Sequence, residues 1–434
     1  MPDHAHHHHD HESQLQDLLP VADAVGRLTA DLSPMGSEPK PLAACLGRVL
    51  AEDVKATHEL PPFANSSMDG YAVRAEDVTA ASEEGPVTLQ VVGDAAAGSQ
   101  QLPEVGEGQA ARITTGAPLP PGADAVVPVE MTDKPEPMAG QELVAEIQIK
   151  SPVTEGAYVR PSGQDVKKDS VVIPSGQRLR PQDLGMLAAL GVERPVVRRQ
   201  PKVAILSTGD EVVEVSSDLL PGQIRDANGY TVAGFAESSG AQPLRLGIAA
   251  DTEDSVEQHL ESAVESEADL ILSTAGVSMG AHDYVRKVLQ KNGELAFWRV
   301  NIRPGKPLAF GSYRGIPFLG LPGNPVSAWV TFAVFVQPVL RALLGMGSRR
   351  RLTVEAELAE AVQSDGRESY LRAHLWTEGE GYRVRLTGSQ DSGVMSSLIE
   401  ANGLLLLPSG VRRMEQGASV EVWLMGVDGM LYVD

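Results

Sequence analysis

The sequence predicts a multidomain α/β plus β fold: a central three-layer α/β domain with a mostly parallel sheet, a helical arm with an inserted β domain, and a small C-terminal β domain. Between about residues 201 and 347, short apolar strands alternate with helical patterns, which is typical of a parallel sheet covered by helices. Residues 85–150 and the chain after Arg351 instead carry short strand-like runs between Gly and Pro clusters. The length of 434 residues exceeds one hydrophobic core, so two to four domains are expected.

The predicted domain boundaries follow these changes of pattern. They are a disordered His-rich tail (1–14), a discontinuous helical and linker domain (15–57 and 151–198), an inserted β domain with an active-site loop (58–150), the α/β domain (199–347) and the C-terminal β domain (348–434).

The N-terminal region is predicted to be helical. Val21, Val25 and Leu28 share one helical face, and the segment LAACLGRVLAEDV is expected to form a second helix that ends near Val54. Residues 58–78 are rich in Pro, Asn and Ser and are predicted to form a loop, either a lid or binding edge or simply a well-anchored structural loop. A later helix is expected to begin at Pro181 and to stop before Gly191.

The α/β domain is predicted from a regular succession of elements. In order, they are the strand VAILSTGDEV, a helix starting near Asp226, the strand LRLGIAA, the helix DSVEQHLESAVES, the strand–turn–helix unit Ala268–Tyr284, the strands FWRVNI, PLAFG and PFLGL, and a long apolar helix from Pro325 to Leu344.

The unit Ala268–Tyr284 is central because small residues leave backbone N–H groups uncovered where a strand meets a helix. Ligands of such sheets lie beyond the carboxyl ends of the strands, and helix N-termini attract anions. The loop is therefore a candidate phosphate or oxyanion site, and the alternative is a tight turn without a ligand. The stretch 320–325 has a similar shape, with a rigid turn as its alternative.

Polar groups follow several strands of this domain. Ser207, Thr208, Gly209, Asp210 and Glu211 close the first strand, Asp251 closes the second, Ser278 and Asp283 follow the third, and Arg303 and Lys306 follow the fourth. Carboxylates together with substrate phosphates are the usual ligands of Mg²⁺, and cations clamp phosphates. The alternative for any one acid is a helix cap or a surface residue.

Composition excludes several classes of function. A net charge of −22 disfavours nonspecific nucleic-acid binding, and the single cysteine, Cys45, excludes an intrachain disulfide and a cysteine metal cage. No apolar run reaches the roughly 20 residues of a membrane span, and no apolar signal segment is present, so the cytoplasm is the expected location. No Ser-His-Asp arrangement, P-loop or dinucleotide fingerprint is evident.

Six motifs in this order resemble those of the molybdopterin molybdenumtransferase family, the molybdenum insertases related to the C-terminal domain of gephyrin. They are PPFANSSMDGYAVR, ITTGAPLPPGADAVV, LSTGDEV, STAGVSMGAHDY, RPGKPLAFG and GLPGNPVSA, and the resemblance extends over about residues 15–425. It implies a four-subdomain fold, an elongated homodimer with the site near the subunit interface, and a cytoplasmic transferase. The implied reaction uses molybdate and adenylylated molybdopterin, releases AMP with Mg²⁺, and gives active molybdenum cofactor.

The resemblance also implies roles for individual residues. The catalytic residues are Asp165, Glu211, Asp251, Asp283 and Thr115, of which Glu211 and Asp251 hold the metal; the substrate-binding residues are Asn65, Asp69, Ser207, Thr208, Gly209, Gly276, Ser278, Arg303, Lys306, Pro325, Arg372 and Ser392. The Thr115 and Asn65 loops of one subunit are expected to approach the α/β domain of the other. A molybdopterin adenylyltransferase and cofactor-accepting apoenzymes are implied partners.

Three positions depart from the family pattern. Ala64 replaces an Asp linked to molybdate handling, Ala275 replaces a Gly, and Arg303 replaces a Lys. The adenylyltransferase reaction would need only the α/β domain, so the other domains argue against it. The alternative from another class is a noncatalytic scaffold that binds the cofactor or a partner, which Ala64 favours.

Overall fold

The structure is a computed structural model that describes residues 18–134, 142–275, 284–347, 350–426 and 429–430. These residues form two compact units. Unit 2 comprises Asp53–Pro174 and Gly185–Val192, and unit 1 comprises the rest.

The elements are numbered in chain order. The helices are α1 (Val21–Thr29), α2 (Pro181–Ala189), α3 (Ala227–Ser238), α4 (Glu253–Glu265), α5 (Tyr284–Asn292), α6 (Pro325–Thr331), α7 (Gln337–Leu343) and α8 (Ser396–Glu400). Short 3₁₀ turns occur at Leu42–Ala44, Ala75–Val78 and Val129–Met131. The strands are β1 (Ser37–Pro39), β2 (Val54–Lys55), β3 (Asn65–Ser66), β4 (Gly70–Val73), β5 (Val87–Ala95), β6 (Gln109–Ile113), β7 (Ala125–Pro128), β8 (Glu146–Ile149), β9 (Val159–Arg160), β10 (Val171–Ile173), β11 (Val196–Arg198), β12 (Lys202–Thr208), β13 (Val212–Val213), β14 (Ile224–Arg225), β15 (Gln242–Ala249), β16 (Leu270–Thr274), β17 (Gly293–Arg299), β18 (Ile302–Arg303), β19 (Pro307–Tyr313), β20 (Ile316–Leu321), β21 (Thr353–Leu358), β22 (Val362–Gln363), β23 (Glu368–Glu378), β24 (Gly381–Leu386), β25 (Gly403–Leu407), β26 (Arg413–Met414), β27 (Ser419–Gly426) and β28 (Gly429–Met430).

A six-stranded sheet organises the α/β part of unit 1, in the order β15-β12-β16-β20-β19-β17. Alternate residues of β12 point to opposite faces: Val203 joins one core with α1, α3, α6 and α7, and Ala204 joins the other with α4 and α5. Helices therefore cover both faces, and the carboxyl ends of β15, β12, β16 and β20, which run parallel, meet at one edge.

The sheet is mixed, because β20, β19 and β17 pair antiparallel. Only Arg314 and Gly315 connect β19 to β20, and both have positive φ, 47° and 84°. Such a two-residue turn folds a strand back on its neighbour and leaves no room for a crossover helix. The mostly parallel pairing expected from the sequence thus applies to four strands of the six.

The predicted second N-terminal helix is wrong. Residues 42–44 form a single 3₁₀ turn, and Gly47 has a φ of +73°. The backbone N–H groups of Gly47 and Leu50 donate to the carbonyls of Leu179 and Gln177, far away in sequence, instead of closing helical turns. The segment therefore runs as irregular, extended chain whose backbone groups are satisfied by a distant segment.

Unit 2 contains a five-stranded sheet in the order β7-β4-β6-β5-β8. Its strand β4 lies inside the segment that the sequence predicts as a loop. All four residues of β4 are buried, so it shows no alternation between apolar and polar positions. A Cβ on Gly70 would lie 2.0 Å from the carbonyl oxygen of Val127 on the paired strand, so only glycine allows the two strands to approach this closely here.

The C-terminal part of unit 1 is barrel-like. Strands β23, β24, β21, β27 and β25 pair in that order, and β25 pairs back with β23 to close a ring around an apolar core. Strand β18 adds to this sheet by pairing with β23, with Arg303 opposite Ser369.

One helical stretch of the described chain, the 19 residues Pro325–Leu343, is long and apolar enough to cross a membrane, with a mean hydropathy of 1.5. It comprises α6, a π-helical turn at Phe332–Val336 and α7. Protein covers it, since 89% of its apolar window is buried inside the fold.

Candidate functional site

A carboxylate rim lies at the edge where β12 and β15 end. These strands are adjacent and parallel, so Asp210 and Glu211 after β12 lie at the same edge as Asp251 after β15. The backbone N–H of Asp251 donates to Oδ1 of Asp210 at 3.0 Å, which ties the two loops together. We call Asp210, Glu211 and Asp251 the carboxylate rim.

Gly209 shapes this rim. Its φ is +133°, and a Cβ there would lie 2.8 Å from both carboxylate oxygens of Glu211. The Glu211 side chain therefore folds back against the Gly209 backbone, a place that only glycine leaves open.

The rim suits a hard divalent cation by its donor chemistry. Its side chains offer only carboxylate oxygens, the ligands that Mg²⁺ takes together with water and substrate phosphates. Within the described ranges, no group of three or more His, Cys, Asp or Glu side chains forms a ready-made metal cage. A cation held here would thus complete its coordination with substrate or water oxygens.

A cavity of about 660 Å³ lies beside the ends of β16 and β20, where the α/β part meets the barrel. We call it the anion cavity because the cationic residues Arg303 and Lys306 line it. Its walls come from Ala275, Arg303, Pro304, Gly305, Lys306, Pro307, Pro322, Gly323, Asn324 and Ser327 on one side and Arg367, Gln390, Asp391 and Ser392 on the other.

Arg303 and Lys306 bring positive charge to this cavity. Neither forms a direct ion pair in the described part of the chain. The nearest carboxylate that attracts them, Asp365, is itself paired with Arg367 at 2.6 Å. Burial and the nearby guanidinium groups of Arg299 and Arg367 lower the pKa of Lys306. An anion entering the cavity would relieve this repulsion.

Gly305 allows the cation-bearing loop to approach the core helix. Its φ is +102°, and a Cβ at this position would lie 2.4 Å from Cγ2 of Thr331. The loop from Arg303 to Lys306 is therefore held against α6.

Arg372 lies behind the cavity wall and is fully buried. Its guanidinium donates only to neutral acceptors, namely Oγ of Ser397 at 3.0 Å and the carbonyls of Ser389 and Asp391 at 3.2 and 3.0 Å. Its remaining terminal nitrogen, Nη1, has no hydrogen-bond partner among the described residues. Burial, with repulsion from Arg303, lowers its pKa to about 10, although the nearby Asp391 carboxylate acts in the opposite direction. A buried cation that has no hydrogen-bonded carboxylate among the described residues is expensive, and such a group is expected next to an anion site.

Ser392 and Pro325 also belong to this region. The amide of Asn324 donates to Oγ of Ser392 at 2.7 Å, and the N–H of Val326 donates to its carbonyl at 3.0 Å. Pro325 begins α6. The turn after β20 is thus tied to the barrel.

Ser207 and Thr208 are buried at the end of β12, 3% and 4% exposed. The hydroxyl of Ser207 donates to Asp226, so its hydrogen-bonding capacity is directed into the protein. Contact of either residue with substrate stays a prediction.

Unit 2 brings two of the predicted residues together. Oδ1 of Asp69 accepts hydrogen bonds from the backbone N–H of Thr115 at 2.6 Å and from its hydroxyl at 3.0 Å, and both residues are exposed. Asn65 is 6% exposed, and its side-chain oxygen has no hydrogen-bond partner in the described chain. Asp165 is exposed, in a loop whose N–H groups at 165 and 166 both donate to Leu60.

Three predicted residues, Gly276, Ser278 and Asp283, lie outside the described residues. The loop begins at Ala275, whose φ of +74° is rare for a residue with a Cβ. A Cβ on Gly323 would lie 3.1 Å from that of Ala275, so the added methyl group is accommodated by a neighbouring glycine.

The sequence reasoning missed several residues of the site. Asp226 was noted as a helix start, and it is a buried cap that accepts from the N–H of Gly229 at 2.8 Å. Asn228, next to it, donates from its side chain to the carbonyl of Gly323 at 2.6 Å. The Asp-Ala-Asn run was the available signal for both, whereas nothing in the sequence distinguished Arg367 or Gln390.

Family models match three parts of the chain. Residues 19–191 match the MoeA N-terminal region (domain I and II), residues 204–342 a probable molybdopterin binding domain, and residues 355–425 the MoeA C-terminal region (domain IV).

Curated relatives match most of the chain. This chain is 37% identical over 388 residues to a molybdopterin molybdenumtransferase from Nostoc sp., and the match covers 88% of this chain and 87% of that protein. It is also 38% identical over 392 residues to molybdopterin molybdenumtransferase 2 from Mycobacterium tuberculosis, and that match covers 88% of this chain and 94% of that protein. Among solved structures, a molybdopterin biosynthesis MoeA protein from Pyrococcus horikoshii matches with a TM-score of 0.78 and 32% identity, covering 94% of this chain and 100% of that one.

Proposed function

Since the chain belongs to the molybdopterin molybdenumtransferase family, we propose that it is an active molybdenum insertase. The proposed reaction takes molybdate and adenylylated molybdopterin, releases AMP and gives active molybdenum cofactor. The observation that supports this proposal is the anion cavity, where Arg303 and Lys306 form no direct ion pair in the described chain and the buried Arg372 lies behind the wall.

The cavity has the chemistry that oxyanions require. Molybdate and phosphate oxygens accept several hydrogen bonds at once, and a guanidinium presents its donors in a fixed fork. The carboxylates near this wall, Asp391 and Asp365, cancel only part of its charge, because four cations lie there: Arg303, Lys306, Arg367 and Arg372. We propose that Arg303 and Lys306 contact an oxyanion of the substrates and that Arg372 strengthens its binding by adding positive charge from behind the wall.

The carboxylate rim is the proposed place of adenylyl cleavage. Glu211 and Asp251 would hold Mg²⁺, which neutralises charge on the phosphate oxygens when bound. The rim is connected to the cavity by two hydrogen bonds: the N–H of Ile224, just before α3, donates to the carbonyl of Glu211 at 2.8 Å, and Asn228 in α3 donates to Gly323 in the cavity turn. This short hydrogen-bonded route supports a single extended substrate site in unit 1.

The residues of unit 2 enter the proposal through assembly. We propose a homodimer in which the Asp69–Thr115 pair and Asn65 of one subunit approach the α/β domain of the other, with Asp165 as a further functional residue. The same proposal includes delivery of substrate by a molybdopterin adenylyltransferase, acceptance of product by apoenzymes, and a cytoplasmic location.

The test is cofactor assembly in vitro from adenylylated molybdopterin and molybdate, with and without Mg²⁺. We expect AMP release that requires Mg²⁺ and molybdenum incorporation that saturates with molybdate. Tight binding of adenylylated molybdopterin without AMP release under any condition would instead support the noncatalytic scaffold, which the replacement of an acid by Ala64 favours.

A further inference from the structure

Asp226 is a buried carboxylate, 4% exposed, at the amino end of α3. It accepts hydrogen bonds from Ser207 Oγ at 2.9 Å, from the N–H of Gly229 at 2.8 Å and from Arg245 at 3.3 Å. One side chain thereby joins β12, α3 and β15 at the edge where the candidate site lies.

The hydrogen bonds around Asp226 have a direction. The hydroxyl of Thr274, the last residue of β16, donates to Oγ of Ser207 at 3.2 Å, and Ser207 donates onward to the carboxylate. Thr274 and Ser207 are 3% exposed, so water does not compete for these bonds. A carboxylate only accepts, so it orients both hydroxyls, and each bond polarises the next.

The cluster is also closed sterically. A Cβ on Gly229 would lie 2.2 Å from Oδ2 of Asp226 and 3.0 Å from Oγ of Ser207. On the far side, the Arg245 guanidinium stacks 3.8 Å from the ring centre of Tyr230. Asp226 thus has no alternative place to move to, and it holds the strand ends at a fixed spacing.

The first turn of α3 reaches the anion cavity by a second route. Asn228 donates to the carbonyl of Gly323, and the next residue, Asn324, donates to Ser392 in the opposite wall. The first route is the chain of hydrogen bonds from Asp226 through Ser207 to Thr274. Ala275 follows Thr274 directly, lines the cavity and donates its N–H to the carbonyl of Leu321 at 3.1 Å. Both routes start at the amino end of α3, the first at Asp226 and the second at Asn228.

We propose that Asp226 is a positioning residue for the reaction: it fixes Ser207, Thr274 and the start of the Ala275 loop, so that the carboxylate rim and the anion cavity keep one relative geometry. Asp226 thus acts on the site through Ser207 and Thr274. The kinetic part of this inference rests on the proposed function, whereas the structural part does not.

The test compares Asp226→Asn with Asp269→Asn. Asp269 is a matched control because it also accepts from an arginine, Arg199, at 2.9 and 2.8 Å, and from a backbone N–H, that of Lys202, but at the opposite end of the same sheet. Both variants lose one carboxylate charge and one acceptor. Only the first should disturb the site.

For Asp226→Asn we expect kcat for AMP release to fall at least about tenfold with KM changed less than about threefold, because misplaced groups cost turnover more than binding. Hydrogen exchange measured by mass spectrometry should become faster in the peptide containing Ala275. Asp269→Asn should keep kcat and the Ala275 protection, even at an equal loss of stability.

Equal kcat values and equal Ala275 protection in the two variants would overturn the inference. If wild-type protein releases no AMP, the proposed function fails, and the exchange measurement alone decides the positioning role. If Asp226→Asn does not fold, Thr274→Val, which removes only the outermost hydroxyl, takes its place with the same expected direction and the same overturning result.

Discussion

Replacing Arg372 by methionine should cost little stability and should abolish the response to oxyanions. Burial lowers the pKa of Arg372 from the ordinary value of an arginine to about 10, so folding disfavours the charged guanidinium by roughly 3 kcal/mol. This penalty is fully present below pH 10, where the folded and unfolded chains both carry the proton, and it fades as the pH rises above that value. At neutral pH, removal of the charge therefore adds the whole of this penalty back to the free energy of unfolding.

The substitution also has a cost. Three acceptors lose their donor, on Ser389, Asp391 and Ser397, and each lost bond costs about 1 kcal/mol. The two contributions are of similar size and opposite sign, so the free energy of unfolding of Arg372→Met should lie within about 1 kcal/mol of wild type.

The assay is urea unfolding at pH 7 with and without molybdate. Wild-type protein should gain about 2.7 kcal/mol when molybdate is at a hundred times its dissociation constant, and Arg372→Met should gain almost nothing. The control is Arg199→Met, which removes an arginine paired with Asp269 and should lose stability but keep the molybdate response. A loss above about 3 kcal/mol in Arg372→Met, or an undiminished molybdate response, would refute this reasoning.

Three further predictions concern the rim, the dimer and the altered acid. Ala substitution of Glu211 or Asp251 should lower AMP release about a hundredfold without unfolding, the size of one lost electrostatic contact; wild-type rates in both would remove the metal assignment. Mixing Asp251→Ala with Thr115→Ala protein should restore activity through hybrid dimers, and a monomer in sedimentation at micromolar concentration would contradict this. Ala64→Asp should lower the molybdate concentration for half-maximal insertion with substrate affinity retained, and an unchanged requirement would show that the site was rebuilt without the acid.

Much of the α/β part could be predicted because its signals are local. Asp226 before Ala227 gives a helix start, and its carboxylate does cap α3 by accepting from Gly229. The apolar run of Leu270–Thr274 gives a buried strand. These elements depend on neighbours within a few residues, which a sequence displays directly.

The remainder depends on pairings between distant segments. The Gly70–Val73 strand has no alternation because both of its faces are buried, and the barrel closes through β23 and β25, whose contact no local pattern encodes. In the site, Ser207 and Arg245 meet Asp226 only after β12, β15 and α3 have assembled. The sequence therefore indicates which polar residues reach the sheet edge but not which of them bond to one another.

The two-residue strand Ile302–Arg303 has a consequence for modularity. Arg303 belongs to the α/β stretch of the chain, but its backbone lies opposite Ser369 of the barrel, and Arg367 donates to the carbonyl of Ile302 at 2.8 Å. A gene fragment that ends after the core helix would keep the rim carboxylates, yet it would leave this strand without its partner and remove Arg372 altogether. The anion cavity therefore cannot form from the α/β stretch alone, and a shortened chain would need another protein to supply the wall that contains Arg367 and Ser392.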